Sequence, residues 1–347
     1  MSDAADHPTR AQAIASPRVS VVMPFRDAGR YIAEALDSLL EQTLRDIEIL
    51  AIDDRSVDDG PAIVADRSRR DPRLRLVANE RPGFVPALNQ GIALARAEFI
   101  ARMDADDVAL PDRFARQVAY LEAHPEVGAV GGQILALIDG TATVPPWWID
   151  TPLDHDAIVS ALRHRNAIHH PTAMIRRDAL RSVGGYREAF VVVQDYDLWL
   201  RLSERTRLAN LCDRVLRYRF HPEQATSRNV ELAFLCTWSA RHAARERAAG
   251  RPDPIRPETR IDREQTAAWG LDPLRVQTEI DWIRASHAAR GHLLRRRHLR
   301  AAGAFAVLFC EHPLPFLRRA ALALRASARR RDADGRALAI QAWPASR

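Results

Sequence analysis

The stretch VSVVMPFRDAGRYIAEALDSLLEQTLRDIEILAIDD, residues 19–54, decides the fold. It opens on an uncharged apolar run, Val19 to Met23, passes into a segment from about Tyr31 to Glu41 with apolar residues at helical spacing, and returns to an apolar run at Ile47 to Ile52. Short apolar runs of this kind suit strands buried on both faces, and the amphipathic segment between them is the crossover that lets two such strands lie parallel.

The same beat continues downstream. A helix is expected from about Pro61, a strand at Leu74 to Ala78, a helix near Ala87 to Ala95 and a strand at Phe99 to Met103. A helix opening at Pro111 and Asp112 and an apolar run at Val127 to Leu135 extend it. Such alternation predicts an α/β domain with a mainly parallel sheet flanked by helices. Past Trp147 the rhythm breaks into a short helix, a strand at Ala173 to Ile175, a helix closed by Gly184 and Gly185, a helix at Tyr196 to Leu202 and a strand at Val215 to Phe220. From Asn229 the chain is rich in Ala, Arg and Leu and reads as helical, interrupted by prolines between Arg251 and Pro257. Residues 1–17 read as a flexible N-terminus, 18–228 as the α/β domain with halves at 18–140 and 141–228, and 229–347 as a helical C-terminal extension.

Composition narrows the class. The 347 residues are 47% hydrophobic and 28% charged, which suits a globular chain and excludes wholesale disorder. Every basic side chain apart from histidine is Arg, and the net charge is +6. Together with the abundant alanine this reads as genomic base bias rather than a ligand signal, and with no nucleic-acid motif beside it no nucleic-acid partner is expected. Cys212, Cys236 and Cys310 lie far apart without CxxC spacing, as expected of reduced thiols. The N-terminus is polar, and no apolar run approaches the roughly 20 residues a membrane helix needs. The expected location is the cytoplasm, with the Ala304 to Leu324 segment able to form an amphipathic helix for peripheral contact with the inner face of the membrane, for self-packing or for a homodimer.

In an open parallel sheet, ligands bind beyond the carboxyl ends of the strands. Three of the expected strands run into polar groups there: the first into Pro24, Arg26 and Asp27, the second into Asp53 and Asp54, the fourth into Asp104, Asp106 and Asp107. A lone Asp after a strand is ordinarily a turn former or a helix cap. Convergence of three such clusters on one sheet edge points instead to a ligand, and alternating carboxylates leaving a strand suit a hard divalent cation, Mn2+ or Mg2+, bound through oxygen. Such a cation is close to a requirement if a diphosphate is to sit among carboxylates. Neither GxGxxG nor GxxxxGK[ST] follows the first strand, which excludes the dinucleotide-binding and P-loop arrangements.

As a set these residues resemble the inverting family 2 glycosyltransferases of GT-A fold. The resemblance runs through Val19-Ser-Val-Val-Met-Pro24, Ala35-Leu-Asp-Ser-Leu-Leu-Glu-Gln-Thr43, Ile47-Glu-Ile-Leu-Ala-Ile-Asp53-Asp54-Arg-Ser56, Asn89-Gln-Gly91 and Asp104-Ala-Asp-Asp107. It resumes at His170-Pro-Thr172, Gly184-Gly-Tyr-Arg187, Gln194-Asp-Tyr-Asp-Leu-Trp-Leu-Arg201 and Leu216-Arg-Tyr-Arg-Phe-His221. It implies a Rossmann-like GT-A domain that moves a sugar from a nucleotide diphosphate donor to a hydroxyl of a glycan or glycolipid acceptor. By that resemblance Pro24, Arg26, Asp53, Asp54 and Asn89 belong to the nucleotide-sugar site, and Asp104 and Asp106 form the DxD pair. Asp195 matches the base, and His221 a late histidine that completes a metal or diphosphate site.

Asp197 lies about 200° round a helix from Asp195 and is expected to be structural. Trp199, with Leu198 and Leu200, is expected to pack its helix on the sheet. The chain departs from the family's usual pattern at Arg26, where an aromatic is common, at Arg55, where glycine is frequent, and at Gln194, where an acid usually precedes the base. Loss of that acid removes a charge that would raise the proton affinity of Asp195. Two other readings share parts of this pattern. A non-catalytic nucleotide-sugar scaffold would have little reason to keep Asp104, Asp106 and Asp195 together. A nucleotidyltransferase would want a glycine-rich basic loop where Asp27-Ala-Gly-Arg30 stands.

Overall fold

The computed structural model describes residues 17–138, 151–220 and 229–282. His221, Cys310 and the Ala304 to Leu324 segment lie outside the described residues.

Strand β1 (Val19–Phe25) is buried at all 7 positions because it runs between two parallel neighbours, β2 (Ile47–Asp53) and β4 (Phe99–Arg102), with helices over both faces. Its alternating side chains divide the core. Val19, Val21, Met23 and Phe25 join the cluster under α1 (Gly29–Leu40), α2 (Gly60–Arg70) and α4 (Arg113–Ala123), while Val22 joins the one under α3 (Phe84–Leu94) and the later helices. Helix α1 forms as its pattern predicts, with Ile32, Ala35, Leu36 and Leu39 on one buried stripe.

Among the described residues the sheet has eight strands in the order β3-β2-β1-β4-β7-β6-β8-β5, where β3 is Leu74–Ala78, β5 Val108–Ala109, β6 Val127–Ile138, β7 Met174–Arg176 and β8 Arg207–Phe220. The half built from β1 to β4 is parallel, as read from the sequence. The other half is mixed: β7 is antiparallel to β4 and β6, and β5 to β8, while β6 and β8 pair in parallel with register shifts. Two differences from the sequence reading have local causes. Strand β8 starts at Arg207 rather than Val215: its first half buries Leu208, Ala209, Asn210 and Leu211 in a row, and the more exposed Cys212-Asp213-Arg214 that follows cuts this run off from Val215 and hides the strand's length. Strand β5 is two residues long, too short for any periodicity.

Pro24 sits inside β1 without breaking the ladder. Phe25 O accepts from Asp54 N (2.8 Å) and Val22 O from Met103 N (3.2 Å), so even-numbered backbone groups of β1 face β4. Register with β4 ends at Val22, so the N–H that Pro24 lacks has no strand partner to lose. Pairing between the two central strands stops there, at the edge where the carboxylates cluster.

On the second face, α5 (His155–Leu162), α6 (Arg177–Ser182) and α7 (Gln194–Ser203) cover the sheet. Helix α8 (Val230–Ala248) then packs Leu235, Cys236, Ala240 and Ala243 into the same cluster as Phe190, Leu198 and Trp199. α9 (Arg263–Ala268) and a helix over 273–282 complete the described part of the C-terminal region. Among the described residues no helix is long and apolar enough to cross a membrane.

Candidate functional site

The loops leaving β1 and β2 are stitched to each other. Asp27 N donates to Ser56 Oγ (3.0 Å), Val57 N to Asp27 Oδ1 (2.8 Å), and Gly29 N to Asp58 Oδ2 (2.7 Å). Asp27 and Arg55 both adopt left-handed backbone, with φ of 51° and 63°. That explains the glycine common at the position of Arg55 in the resembling family: a Cβ there costs about 1 kcal/mol. Arg26 extends from this edge with its side chain 63% exposed and its Nε 3.6 Å from Asp27 Oδ2.

The two aspartates after β2 have different surroundings. Asp53 Oδ1 accepts from Ser56 N (3.0 Å) and caps the turn. Asp54 is buried, and its carboxylate accepts from Asn79 Nδ2 (2.7 Å) and from Gly83 N (2.9 and 3.1 Å), which fixes the entry to α3. The Asn89-Gln-Gly91 run also proves to be a brace. Asn89 Nδ2 donates to Tyr186 O (2.9 Å) while its Oδ1 accepts from Tyr186 N (3.1 Å). Gln90 joins Ala78 O and Glu80 N, and at Gly91 a Cβ would meet Val22 Cγ1 at 2.5 Å, so only glycine lets α3 approach β1 this closely. Asn89 therefore supports the site through the Tyr186 backbone.

At the end of β4, Asp104, Asp106 and Asp107 bring one carboxylate oxygen each within 4.8 Å of the others. The sequence reading named all three at this edge and took the first two as the DxD pair. Asp107 is 1% exposed, its Oδ1 accepts from Arg219 N (2.8 Å), and its Oδ2 has no partner among the described residues. Burial, then the charges of Asp104 and Asp106, push its carboxyl well above the ordinary range. Burial also raises Asp104, opposed by its ion pair with Arg102. Three oxygen donors, an orphaned buried oxygen and mutual repulsion that a positive ion would relieve all fit a hard divalent cation. Arg219 braces the turn from β8: Nε donates to Asp106 O (2.7 Å) and Nη2 pairs with Glu34 (2.5 Å).

Across from this cluster, Asp195 opens α7. The residue before the helix, Val193, holds φ of 62°, a conformation β-branched residues avoid. Asp195 Oδ2 accepts from Asn166 Nδ2 (2.5 Å). Its carboxyl is raised by burial, against the lowering pull of Asn166, of the Tyr196 and Asp195 backbone N–H groups and of Arg102. The missing acid at Gln194 thus does not leave Asp195 with a low proton affinity, because burial outweighs it. The Arg102 guanidinium acts on Asp104, Asp107 and Asp195 alike, which puts these carboxylates in one electrostatic neighbourhood.

Burial and the charge of Arg102 push His170 well below its ordinary value, so it is neutral, and its Nε2 lies 2.7 Å from Tyr186 Oη. Asp197 points away, as its helical position requires. It is fully buried and bound by Arg187 (Nε to Oδ2, 3.0 Å) and Arg201 (Nε to Oδ2, 2.9 Å). Trp199 is fully buried in the core.

Comparison with known proteins agrees with this geometry. The family model described as glycosyl transferase family 2 matches residues 20–184. The amylovoran biosynthesis glycosyltransferase AmsE of Erwinia amylovora is 32% identical over 200 residues, 57% of this chain and 73% of that one. The chain belongs to glycosyl transferase family 2. The fold of this family 2 glycosyltransferase is shared with two solved structures. S. aureus TarS 1-349 in complex with UDP-GlcNAc has a TM-score of 0.56 at 14% identity, covering 83% of this chain and 90% of that one. The mannosyltransferase PcManGT from Pyrobaculum calidifontis in complex with GDP-Man and Mn2+ has a TM-score of 0.51 at 21% identity, covering 92% and 82%.

The sequence reading of this glycosyltransferase assigned no role in the site to Arg102, Asn166, Tyr186 and Arg219. For three of them a signal existed: Tyr186 and Arg219 stand inside quoted motifs, and Arg102 lies two residues before Asp104. Asn166 stands in a loop between α5 and β7 with nothing in the sequence to mark it.

Proposed function

We propose that this chain transfers a sugar from a nucleotide diphosphate donor to an acceptor hydroxyl with inversion at the anomeric carbon, in the assembly of a polysaccharide or glycolipid. The observation that carries this reading is the acidic cluster of Asp104, Asp106 and Asp107 at the carboxyl edge of the sheet, paired with Arg102, whose charge also acts on Asp195. The names of related proteins support it: AmsE is an amylovoran biosynthesis enzyme, TarS binds UDP-GlcNAc and PcManGT binds GDP-Man with Mn2+.

On this reading Pro24, Arg26, Asp53 and Asp54 shape the nucleotide end, and Asp104, Asp106 and Asp107 hold Mn2+ or Mg2+. A divalent cation there offsets the charge on the departing diphosphate. Asp195 accepts the acceptor hydroxyl's proton as that oxygen attacks the anomeric carbon, and its raised proton affinity brings it nearer the range useful to a general base. Asn166 holds the carboxylate in one orientation. His221 remains a proposed contributor to the diphosphate end.

Calorimetric titration with UDP, GDP and dTDP, with and without Mn2+, tests the donor site on the wild type and on Asp106→Ala. Binding of one nucleotide only with metal, lost in the variant, is expected. If none binds under either condition, the donor-site reading fails. The anomeric configuration of the product, read by NMR, decides inversion.

A further inference from the structure

Arg102 ends β4, lies on the same strand face as Ile100 and stands two residues before Asp104. It is 4% exposed. Its backbone is fully used: N donates to Ala173 O (2.9 Å) and O accepts from Arg113 Nη2 (2.8 Å). Of the guanidinium, Nη2 pairs with Asp104, and Cζ lies 5.5 Å from the Phe84 ring centroid. Nε and Nη1 are buried and have no acceptor among the described residues.

Leaving a buried hydrogen-bond donor without a partner costs about 1–3 kcal/mol, and more where the group is charged. Methionine would pack against Phe84 without that cost. Two orphaned donor nitrogens on one side chain, at the carboxyl edge of the central sheet, therefore point to an acceptor that arrives with a ligand. Position says which part of the ligand. Arg102 grips Asp104, at the proposed diphosphate end, and its charge reaches Asp195, at the proposed base. The group that must bridge those two ends during transfer is the sugar itself. Because the charge of Arg102 already faces Asp104, a neutral oxygen satisfies Nε and Nη1 without a second anion.

We propose that Nε and Nη1 of Arg102 donate hydrogen bonds to hydroxyl oxygens of the transferred sugar, making Arg102 a recognition residue for the sugar rather than for the nucleotide. This rests on the donor reading given above. It goes further in separating the sugar's contacts from those of the nucleotide.

Calorimetry in Mn2+ on wild type, Arg102→Lys and Arg102→Met tests it. The ligands are the nucleoside diphosphate that binds wild type and, of the sugar nucleotides built on it, the one that binds wild type most tightly. Lysine keeps a cation for Asp104 and loses the fork that supplies both orphaned nitrogens. In Arg102→Lys the Kd for the nucleoside diphosphate is expected to change less than threefold and that for the sugar nucleotide to rise at least tenfold. Equal weakening of both ligands shows that Arg102 acts only through Asp104 and overturns the proposal, as does no change in either. If Arg102→Met fails to fold, Arg102→Lys with a wild-type melting temperature carries the test alone. A wild type that binds no nucleotide overturns the donor reading beneath it, an outcome distinct from the others.

Discussion

Asn166 Nδ2 donates a 2.5 Å hydrogen bond to Asp195 Oδ2, joining the loop after α5 to the first turn of α7. The bond favours the ionised carboxylate, against burial, which raises its proton affinity. A base works only when ionised, so activity is lost as pH falls through the raised value. Asn166→Ala removes a lowering influence and raises it further. The acidic limb of kcat/KM is expected to move to higher pH, with the rate recovering at alkaline pH. A limb that stays in place, or moves down, would show that Asn166 does not set the charge of Asp195.

How much of this was legible in the sequence depends on the range of the interaction. Val19 to Met23 and the stripe of Ile32, Ala35, Leu36 and Leu39 reveal the parallel half because burial on a strand or one helix face leaves a local period. Asp104 and Asp106 stand out because their spacing is itself the signal. Asp107 looks like a turn residue until Arg219, more than a hundred positions later, is seen to bind it. The contact of Asn166 with Asp195 exists only once the loop after α5 meets α7, and no local pattern encodes that meeting.

Arg219 braces both members of the Asp106-Asp107 turn, through Asp106 O and, by its own backbone N–H, Asp107 Oδ1. Groups that orient metal ligands without touching the ion typically change affinity by roughly 10- to 100-fold when removed. Arg219→Met keeps the backbone N–H contact but frees the turn at Asp106. Mn2+ affinity in the presence of the bound nucleotide is expected to fall by about tenfold, with little change in melting temperature, as titration would show. Unchanged affinity would mean the turn holds its shape without the side chain.

Asp195 and Asp197 stand two positions apart on α7 and should separate cleanly. Asp197 sits between Arg187 and Arg201, and Arg187 also binds Asp253 (2.9 Å), which Arg247 holds in turn (2.5 Å). Asp197→Ala leaves two largely buried cations without it, a loss of about 3–5 kcal/mol, visible as a lower urea midpoint. Asp195→Asn should leave the midpoint near wild type while lowering kcat by roughly 10²–10⁴-fold. Similar destabilisation in both variants would contradict the division of roles.

That ion network also bears on the C-terminal region. Asp253 and Arg247 lie beyond residue 229, yet they anchor Arg187 and Glu204, and Leu235, Cys236, Ala240 and Ala243 of α8 fill the core beside Trp199. An appendage would leave the α7 face covered without it; here its removal exposes that face and strands Arg187 on one side. A chain ending at residue 228 is expected to be insoluble or to lose its cooperative thermal transition, whereas Leu235→Ala in the full chain should cost about 2–5 kcal/mol and still fold. A soluble 1–228 chain that melts cooperatively and binds nucleotide like the full protein would show instead that α7 closes the fold unaided.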